Sequence, residues 1–276
     1  MSARLRAWLG RVGPSLVLLA SAVFFIAPLL STARAAFHKV PTILLNRETW
    51  FQKWSLEGLR RAFDEPNFWP TLSLSLKLAF ATVMITMLLL VPTALFVHLR
   101  LPRARALVEF LTVLPYVVPP IALVAGVAAF FRPNARWFLN SDYAVAPFYA
   151  VMAMPFTYRA IDAGIKAIDV RTLVDASRSL GGTWATTVRR ALLPNLVASL
   201  LSSAFLTATV VLGEFTIAST LAKNTFATFS FEYFGRDAQG GVGLALLTLV
   251  AITALLGVLT LLTRTKSRKA MAASRY

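Results

Sequence analysis

Glu214 is the residue whose position in the sequence most directly suggests chemistry. It is the single acidic residue in the apolar stretch 195–222, which is long enough to cross a lipid bilayer as a helix. A carboxylate in such a stretch is costly unless it faces protein, water or a ligand. Two roles therefore follow: Glu214 borders a path for a solute, or it bonds to polar neighbours and holds helices together. The candidate neighbours are Thr209, Thr216 and Lys77.

The usual residue sets for catalysis, metal binding and nucleotide hydrolysis do not occur in the sequence. There is no cysteine, and the two histidines, His38 and His98, are sixty residues apart. The patterns H-E-x-x-H, G-x-S-x-G and G-x-x-x-x-G-K-[ST], which mark zinc peptidases, serine hydrolases and phosphate-binding loops, are missing as well. The sequence therefore predicts no catalytic residue, no metal site and no cofactor. Any ATP hydrolysis linked to this protein is expected from another chain.

The polar segment 159–194 has the pattern of two short helices separated by a glycine break. Asp169 is placed to cap the first helix, the glycine pair at Gly181 provides a left-handed exit, and Thr183 caps the second helix. Pro194 follows the second helix. The predicted apolar stripes are Val170, Leu173, Val174, Ser177 and Leu180 in the first helix, and Trp184, Val188, Ala191 and Leu192 in the second. Two amphipathic helices of this kind suit docking into the groove of a partner protein.

The composition places these elements in a membrane. Hydrophobic residues make up 57% of the 276 residues and charged residues 14%, with a mean hydropathy of +0.67. An average soluble domain is roughly 45–50% apolar and about 25% charged. The apolar surplus exceeds what one domain of this length buries away from water. We therefore predict an all-α integral membrane protein.

Windows with little or no charge predict six transmembrane helices. Their ranges are 12–33, 78–97, 110–131, 143–158, 195–222 and 238–263. The window 143–158 is the shortest, so its helix must extend into polar flanks or pack irregularly. The window 110–131 contains Pro115, Pro119 and Pro120, which predict a kink or an unwound turn.

The distribution of basic residues predicts that both termini lie in the cytoplasm. Most of the 28 Lys and Arg residues fall in segments that this orientation places inside, namely 1–11, 98–109, 159–194 and 264–276. In the outside segments, acidic residues dilute the positive charge. Ala33-Arg34-Ala35 resembles a signal-peptide cleavage site, but the uncharged stretch before it is longer than a signal h-region. A retained membrane anchor is therefore favoured.

An external segment between the first two predicted spans is rich in aromatic residues. Its apolar residues are Trp50, Phe51, Trp54, Leu59, Phe63 and Trp69. Their spacing predicts an amphipathic helix close to the membrane surface. Tryptophan favours the membrane–water interface, so an anchoring role is the first interpretation and a partner-docking surface is the second.

The loop 159–194 resembles a cytoplasmic signature of the permease subunits of binding-protein-dependent ATP-binding-cassette (ABC) importers. That signature reads Glu-Ala-Ala-x3-Gly-x9-Ile-x-Leu-Pro. This chain has Asp175-Ala176-Ser177, then Gly181 after three residues, then Ala191-Leu192-Leu193-Pro194 after nine more, and every interval matches. Three identities differ: Asp for Glu at 175, Ser for Ala at 177 and Ala for Ile at 191.

Further stretches resemble the same family. Residues 54–63 and 73–79 look like its approach to the transmembrane core, and Gly213-Glu214-Phe215 resembles a motif of its polyamine, iron and molybdate branches. The resemblance implies the type I (MetI-like) permease architecture, with six helices and both termini inside, in the inner membrane of a prokaryote. The spermidine/putrescine branch is the most similar, so the resemblance implies a polyamine as the first expected solute, with ferric iron, thiamine, phosphonate or another small solute as alternatives.

The family resemblance also implies partners and roles. ABC ATPase subunits, a second permease that is identical or homologous, an external solute-binding protein and membrane lipid would be partners, and nucleic acid would not. The loop would be a coupling helix that receives the movement of the ATPase. Its implied coupling residues are Asp175, Ala176, Ser177, Leu180, Gly181, Ala191, Leu193 and Pro194. Asp175 would replace the family's acidic residue, one methylene shorter, and Glu214 would belong to the translocation path.

Other functional classes remain as alternatives. An ion-coupled secondary transporter would work without an ATPase, and Glu214 is the one feature that favours it. A purely structural membrane subunit would not need the spaced loop. The repeated small residues Ser199, Ser203 and Thr207 predict close helix packing rather than solute binding.

Overall fold

The computed structural model describes residues 3–38 and 54–273, and these residues are helical apart from short connections. In chain order, the α-helices of these ranges are α1 (Ala3–Phe37), α2 (Glu57–Phe63), α3 (Phe68–Arg100), α4 (Arg105–Val117), α5 (Pro120–Asn134), α6 (Arg136–Asn140), α7 (Val145–Lys166), α8 (Val170–Ser179), α9 (Trp184–Thr186), α10 (Leu193–Gly213), α11 (Thr216–Thr220), α12 (Phe226–Arg236) and α13 (Ala238–Ala273). The predicted all-α class is confirmed.

Four helical runs of the described ranges are long and apolar enough to cross a membrane. They are Pro14–Phe37, Phe68–Arg100, Trp184–Gly213 and Ala238–Val258. These runs correspond to the first, second, fifth and sixth predicted spans. The helices α4 and α5 are a bent pair that together pass the same test, so the described residues contain four or five candidate crossings. The predicted count of six remains a prediction.

The third predicted span is broken, as its prolines indicated. The run Pro102–Val117 and the helix Pro120–Asn134 meet at an angle of 88°. Val118 and Pro119 between them have extended ψ angles of 128° and 132°. A proline ring drives the residue before it out of the helical conformation. Val118 precedes Pro119, and Pro119 precedes Pro120, so both residues are affected. The window 110–131 is therefore two short helices rather than one straight span.

The fourth predicted span becomes the helix α7, Val145–Lys166. Its 22 residues extend well past the apolar window 143–158 into the polar flank, as its short length predicted. At 1.5 Å per residue the helix is about 33 Å long, which is enough for a bilayer core. Many of its residues are buried, including Tyr149, Tyr158 and Ile161. Neighbouring helices therefore surround it.

The fifth predicted span is not a continuous helix over 195–222. The helix α10 ends at Gly213, Glu214 has an extended ψ of 115°, and the chain resumes a helix only at Thr216. At the other end, α10 continues directly from the helical turns that begin at Trp184. The prediction of a separate helix that ends before Pro194 is therefore wrong, because Pro194 lies in the first turn of α10 and the helical run passes through it.

The chain divides into two compact units, Met1–Glu65 with Ser230–Val250, and Pro66–Phe229 with Ala251–Tyr276. In the first unit, the amphipathic segment appears as the seven-residue helix α2, which buries Gly58 and Ala62. Trp50 and Phe51 lie outside the described residues. Arg61 of α2 forms an ion pair of 2.9 Å with Asp237. The prediction of a single permease domain over 1–276 stays a prediction.

The second unit contains the candidate site and two apolar clusters. One cluster joins α3, α5, α7, α10 and α11 around Leu78, Val124, Tyr149 and Val211. The other cluster joins α3, α7, α8 and α10, together with the turn before α10. Its buried residues are Leu90, Ala94, Leu95, Tyr158, Ile161, Ile165, Val170, Val174, Leu192 and Leu196. The second cluster attaches the helix–glycine–helix loop to the membrane helices of its own unit.

Candidate functional site

The residues 169–194 form a compact turn of two helical arms, which we call the Gly181 hairpin. Asp169 begins its first arm, because Oδ1 accepts the Thr172 N–H at 3.2 Å and Oδ2 accepts the Thr172 hydroxyl at 2.6 Å. These bonds from Thr172 hold the pKa of Asp169 below its usual range. The predicted N-cap is confirmed, and it is a cap that weakens only when acid protonates the carboxylate.

The first arm ends in a Schellman turn at the glycine pair. Gly181 has a φ of +80°, and its N–H donates to the Arg178 carbonyl at 2.9 Å. The Gly182 N–H donates to the Ser177 carbonyl, also at 2.9 Å. This bonding pattern satisfies the last carbonyls of the helix and requires a residue with positive φ. The predicted left-handed exit at Gly181 is confirmed.

The second arm starts at Thr183, whose hydroxyl oxygen accepts the Thr186 N–H at 3.3 Å, as predicted. It then widens into a π-helical turn over Thr187–Leu192. Thr187 and Leu192, five residues apart, are the buried members of this turn. Pro194 supplies the physical reason, since its ring crowds the carbonyl four residues earlier and a wider turn relieves that contact. The regular 3–4 stripe predicted for this arm is therefore wrong in detail.

The two arms are joined by a pair of hydroxyl groups. Ser177 Oγ and Thr187 Oγ1 are 2.8 Å apart, and Thr187 Oγ1 lies 3.0 Å from the Thr183 carbonyl. Because the Thr187 proton goes to that carbonyl, Ser177 donates to Thr187. The serine that departs from the importer signature at 177 therefore fastens one arm to the other.

The predicted coupling residues divide into an exposed set and a packed set. Leu180 is 89% exposed at the tip of the hairpin, although the apolar stripe predicted it on the packed face. Other exposed members are Asp175, Ala176, Gly181 and Pro194, and the half-buried ones are Ser177, Ala191 and Leu193. Val170, Val174 and Leu192, which face the core, hold the hairpin in place. The structure thus brings the signature together as a rigid turn with an apolar tip.

A cavity of about 480 Å³ with both apolar and charged lining residues lies between the end of α3 and the hairpin. Its lining residues are Phe96, Leu99, Arg100, Arg171, Val174, Asp175, Arg178 and Trp184. Three arginines and one aspartate make this surface positively charged. Asp175 is exposed, and among the described residues its carboxylate makes no hydrogen bond and no ion pair.

Asp162 forms a charged cluster that sequence reasoning missed. Its carboxylate lies within 2.8 Å of His98 Nε2, of Arg105 Nε and Nη2, and of Lys166 Nζ. The segments 98–109 and 159–194 were predicted on the same side of the membrane, which is the one available sequence signal. His98 and Arg105 are 64 and 57 residues away from Asp162. No periodicity of a helix or strand relates residues at such separations, so the sequence could not predict these pairs.

Glu214 lies at the break between α10 and α11. Each of its carboxylate oxygens accepts the Ile217 N–H at 3.0 Å, so the side chain caps the short helix that follows. This bond lies in the Thr216 neighbourhood, one of the three environments predicted for Glu214. Thr209 instead donates its hydroxyl to the Phe205 carbonyl at 2.9 Å.

The helices α7 and α10 pack closely through small and polar residues. The Thr157 and Thr207 hydroxyl oxygens are 2.7 Å apart in a buried contact, and Gly164 leaves room for Ser199. Ser203 is fully buried and reaches the sulfur of Met87 at 3.7 Å. The predicted packing role of the Ser199, Ser203 and Thr207 repeat is confirmed.

Four long apolar helices and a broken helix pair define an all-helical, multi-pass membrane protein. The family model for the "binding-protein-dependent transport system inner membrane component" matches residues 90–269. The chain belongs to this family, and it is therefore a permease component of an ABC importer. The matched range includes the broken pair α4–α5, α7 and the whole hairpin.

Two solved structures share this fold. A bacterial ABC transporter involved in the import of the acidic polysaccharide alginate is 12% identical with a TM-score of 0.64, over 94% of this chain and 98% of that chain. An amino acid ABC transporter crystallised with histidines is 20% identical with a TM-score of 0.55, over 75% of this chain and 97% of that chain. A search of curated proteins found no match. At these identities the likeness describes the fold alone.

Proposed function

We propose that this chain is the non-catalytic translocation subunit of its importer and that a separate ATPase drives it through the Gly181 hairpin. The observation that carries the proposal is the exposed surface of the first arm: Leu180 is 89% exposed at the tip, and Asp175, five residues earlier, is exposed and has no ion pair among the described residues. A helical arm with an exposed leucine and an exposed charge is the type of surface that inserts into a partner's groove. In this role Asp175 pairs with a basic group of the ATPase.

The stiffness of the hairpin supports a mechanical role. The cap at Asp169, the positive-φ turn at Gly181 and the Ser177–Thr187 bond restrain both arms. The second arm continues as one helical run to Gly213. A displacement of the tip is therefore transmitted along α10, and through the shared apolar cluster to α3 and α7.

The proposed partners follow from this role. A second permease, identical or homologous, completes the pathway, and two ATPase subunits bind the two hairpins from the cytoplasm. An external binding protein delivers the solute, and lipid surrounds the apolar helices. The location is the inner membrane of a prokaryote, with both termini inside.

For the cargo we propose a polyamine as the first choice. Support comes from the Gly213-Glu214-Phe215 motif and the overall layout of the sequence. The solved relatives are described with histidine and with alginate, and their low identities carry no information about the solute of this chain. A panel of a polyamine, an amino acid, an acidic oligosaccharide and ferric iron, each with its binding protein, discriminates between these classes.

Glu214 is proposed to border the translocation path. It lies at a break between helices, and irregular backbone at membrane depth is tolerated only where protein or a water-filled cavity surrounds it. We expect Glu214→Gln to raise the half-saturating solute concentration about fivefold, because loss of a charge-assisted contact costs roughly 1 kcal/mol or more. Import by vesicles over a range of solute concentrations measures this. A wild-type value together with a lower melting temperature would assign the residue to helix packing instead.

Reconstitution tests the proposed function. The permease is purified with the ATPase, the second permease and the binding protein encoded beside its gene, and is placed in vesicles. We expect solute uptake that requires ATP and the binding protein. Uptake by the permease alone under an ion gradient would instead identify an ion-coupled secondary transporter.

A further inference from the structure

The charged cluster around Asp162 connects the broken helix pair to the helix that packs against the hairpin. We propose that Asp162 is a positioning residue through which α4 and α5 follow the movement of the Gly181 hairpin. This inference rests on the proposed coupling function. It assigns a role in coupling to Asp162, Arg105 and His98, none of which belongs to the importer signature.

The bonds at Asp162 join three different helices. Oδ1 accepts from His98 Nε2, near the end of α3, and from Arg105 Nε, the first residue of α4, each at 2.8 Å. Oδ2 accepts from Arg105 Nη2, also at 2.8 Å. Because a carboxylate only accepts, His98 presents its Nε2–H to it. Two parallel bonds from one guanidinium fix both the distance and the orientation of α4 on α7.

The burial of Asp162 makes the loss of any of its bonding partners costly. Asp162 is 5% exposed, so its charge has little water to replace a lost partner. When a buried carboxylate loses a partner, the charge that remains favours rearrangement of the surrounding helices. The ends of α3 and α4 are therefore held where the carboxylate places them.

The helix α4 is held on α7 by a few apolar contacts as well as by ion pairs. Its Tyr116 ring lies 5.5 Å from the Phe156 ring of α7, and Val108 packs against the second apolar cluster. Thr112 is its only buried residue. Two ion pairs connect it to α7: Arg105 with Asp162, and Glu109 with Arg159 at 3.3 Å, the latter largely exposed. The Arg105–Asp162 pair is the less exposed of the two ion pairs, and it holds the first residue of α4, at the opposite end of the helix from the 88° bend.

Asp162 also lies beside the apolar contact with the hairpin. Ile161 and Ile165 of α7 belong to the same buried cluster as Val170 and Val174 of the hairpin's first arm. Asp162 is adjacent in sequence to Ile161, so the helix segment that meets the hairpin is the one that holds α4. A movement of the hairpin therefore reaches the broken pair through one short stretch of α7.

Lys166 provides a matched control on the same carboxylate. Its Nζ lies 2.8 Å from Asp162 Oδ2, but it is four residues away on the same helix and its side chain is 49% exposed. Lys166→Gln and Arg105→Gln each remove one positive charge from Asp162. Only the change at Arg105 removes a connection between two helices.

The experiment compares these variants in the complete reconstituted importer, with the number of ATP molecules hydrolysed per solute imported as the readout. We expect Arg105→Gln to raise this ratio at least about fivefold, the lower end of typical coupling effects between sites. Lys166→Gln should stay within about twofold of wild type, and Arg105→Lys, which keeps the charge but loses the paired geometry, should fall between them. A purely structural role would lower complex yield and melting temperature without changing the ratio.

The outcomes are distinct. A wild-type ratio in Arg105→Gln, or an equal rise in Lys166→Gln, would overturn the proposal. If Arg105→Gln does not assemble, Arg105→Lys decides in the same way, by a raised or an unchanged ratio. Failure of wild-type vesicles to import with ATP would reject the proposed function instead, before any variant is compared.

Discussion

Gly164→Val is expected to lower the yield and the melting temperature of the folded permease strongly. A Cβ atom at position 164 of α7 would overlap the Cβ and Oγ of Ser199 in α10. Close helix approach in membranes depends on small residues at the contact, and overpacking a tight site typically costs about 1–3 kcal/mol. Here the branched side chain would push α10 away from α7 and break the buried Thr157–Thr207 contact of 2.7 Å. Monodisperse yield and melting temperature in detergent measure the effect.

Gly126→Val is the matched control for this change. Gly126 lies in α5, one of the two short helices of the broken pair, and a Cβ there has no neighbour within 4 Å among the described residues. We expect a yield close to wild type. A stable Gly164→Val protein with an unchanged melting temperature would show that the α7–α10 contact is less restrictive than the structure indicates.

Gly181→Val is expected to leave the protein folded but to lower solute-stimulated ATP hydrolysis and import about tenfold. The φ of +80° costs a residue with a side chain roughly 1–2 kcal/mol, and more when the side chain is β-branched. In the described part of the chain, no atom lies within 4 Å of the position of the added Cβ, so we expect backbone strain to be the main effect. The strain alters the tip that carries Leu180. Reconstituted import and ATPase assays measure it.

Gly181→Asn separates strain from the loss of glycine itself. Asparagine tolerates positive φ, so this variant should keep most of the activity. Full coupling in Gly181→Val, or equal loss in both variants, would contradict a role for the left-handed turn.

Local physical rules account for the parts of the fold that were predictable. The Asp169 and Thr183 caps and the Gly181 turn depend on neighbouring residues within a few positions, so their residue types are sufficient evidence. The break in 110–131 follows from adjacent prolines in the same way. The length of α7 followed from the thickness of a bilayer.

The remaining features depend on contacts that no local pattern encodes. Asp162 selects Arg105 and His98 from several basic residues only after α3, α4 and α7 have packed. Glu214 looked like an acid inside a continuous helix, because the apolar stretch does not reveal that α10 stops at Gly213. Leu180 matched a helical stripe, but the turn at Gly181 directs it away from the core, and its exposure became evident only in the structure.

Cross-linking from position 180 tests the central claim most directly, because the chain contains no cysteine and Leu180→Cys introduces a unique one. The variant, carrying a photoreactive maleimide, is illuminated within the assembled importer in inside-out vesicles. We predict an adduct with the ATPase subunit, and labelling of the thiol by an impermeant reagent from the cytoplasmic side only. Labelling from the external side, or no ATPase adduct in a complex that imports solute, would contradict the account.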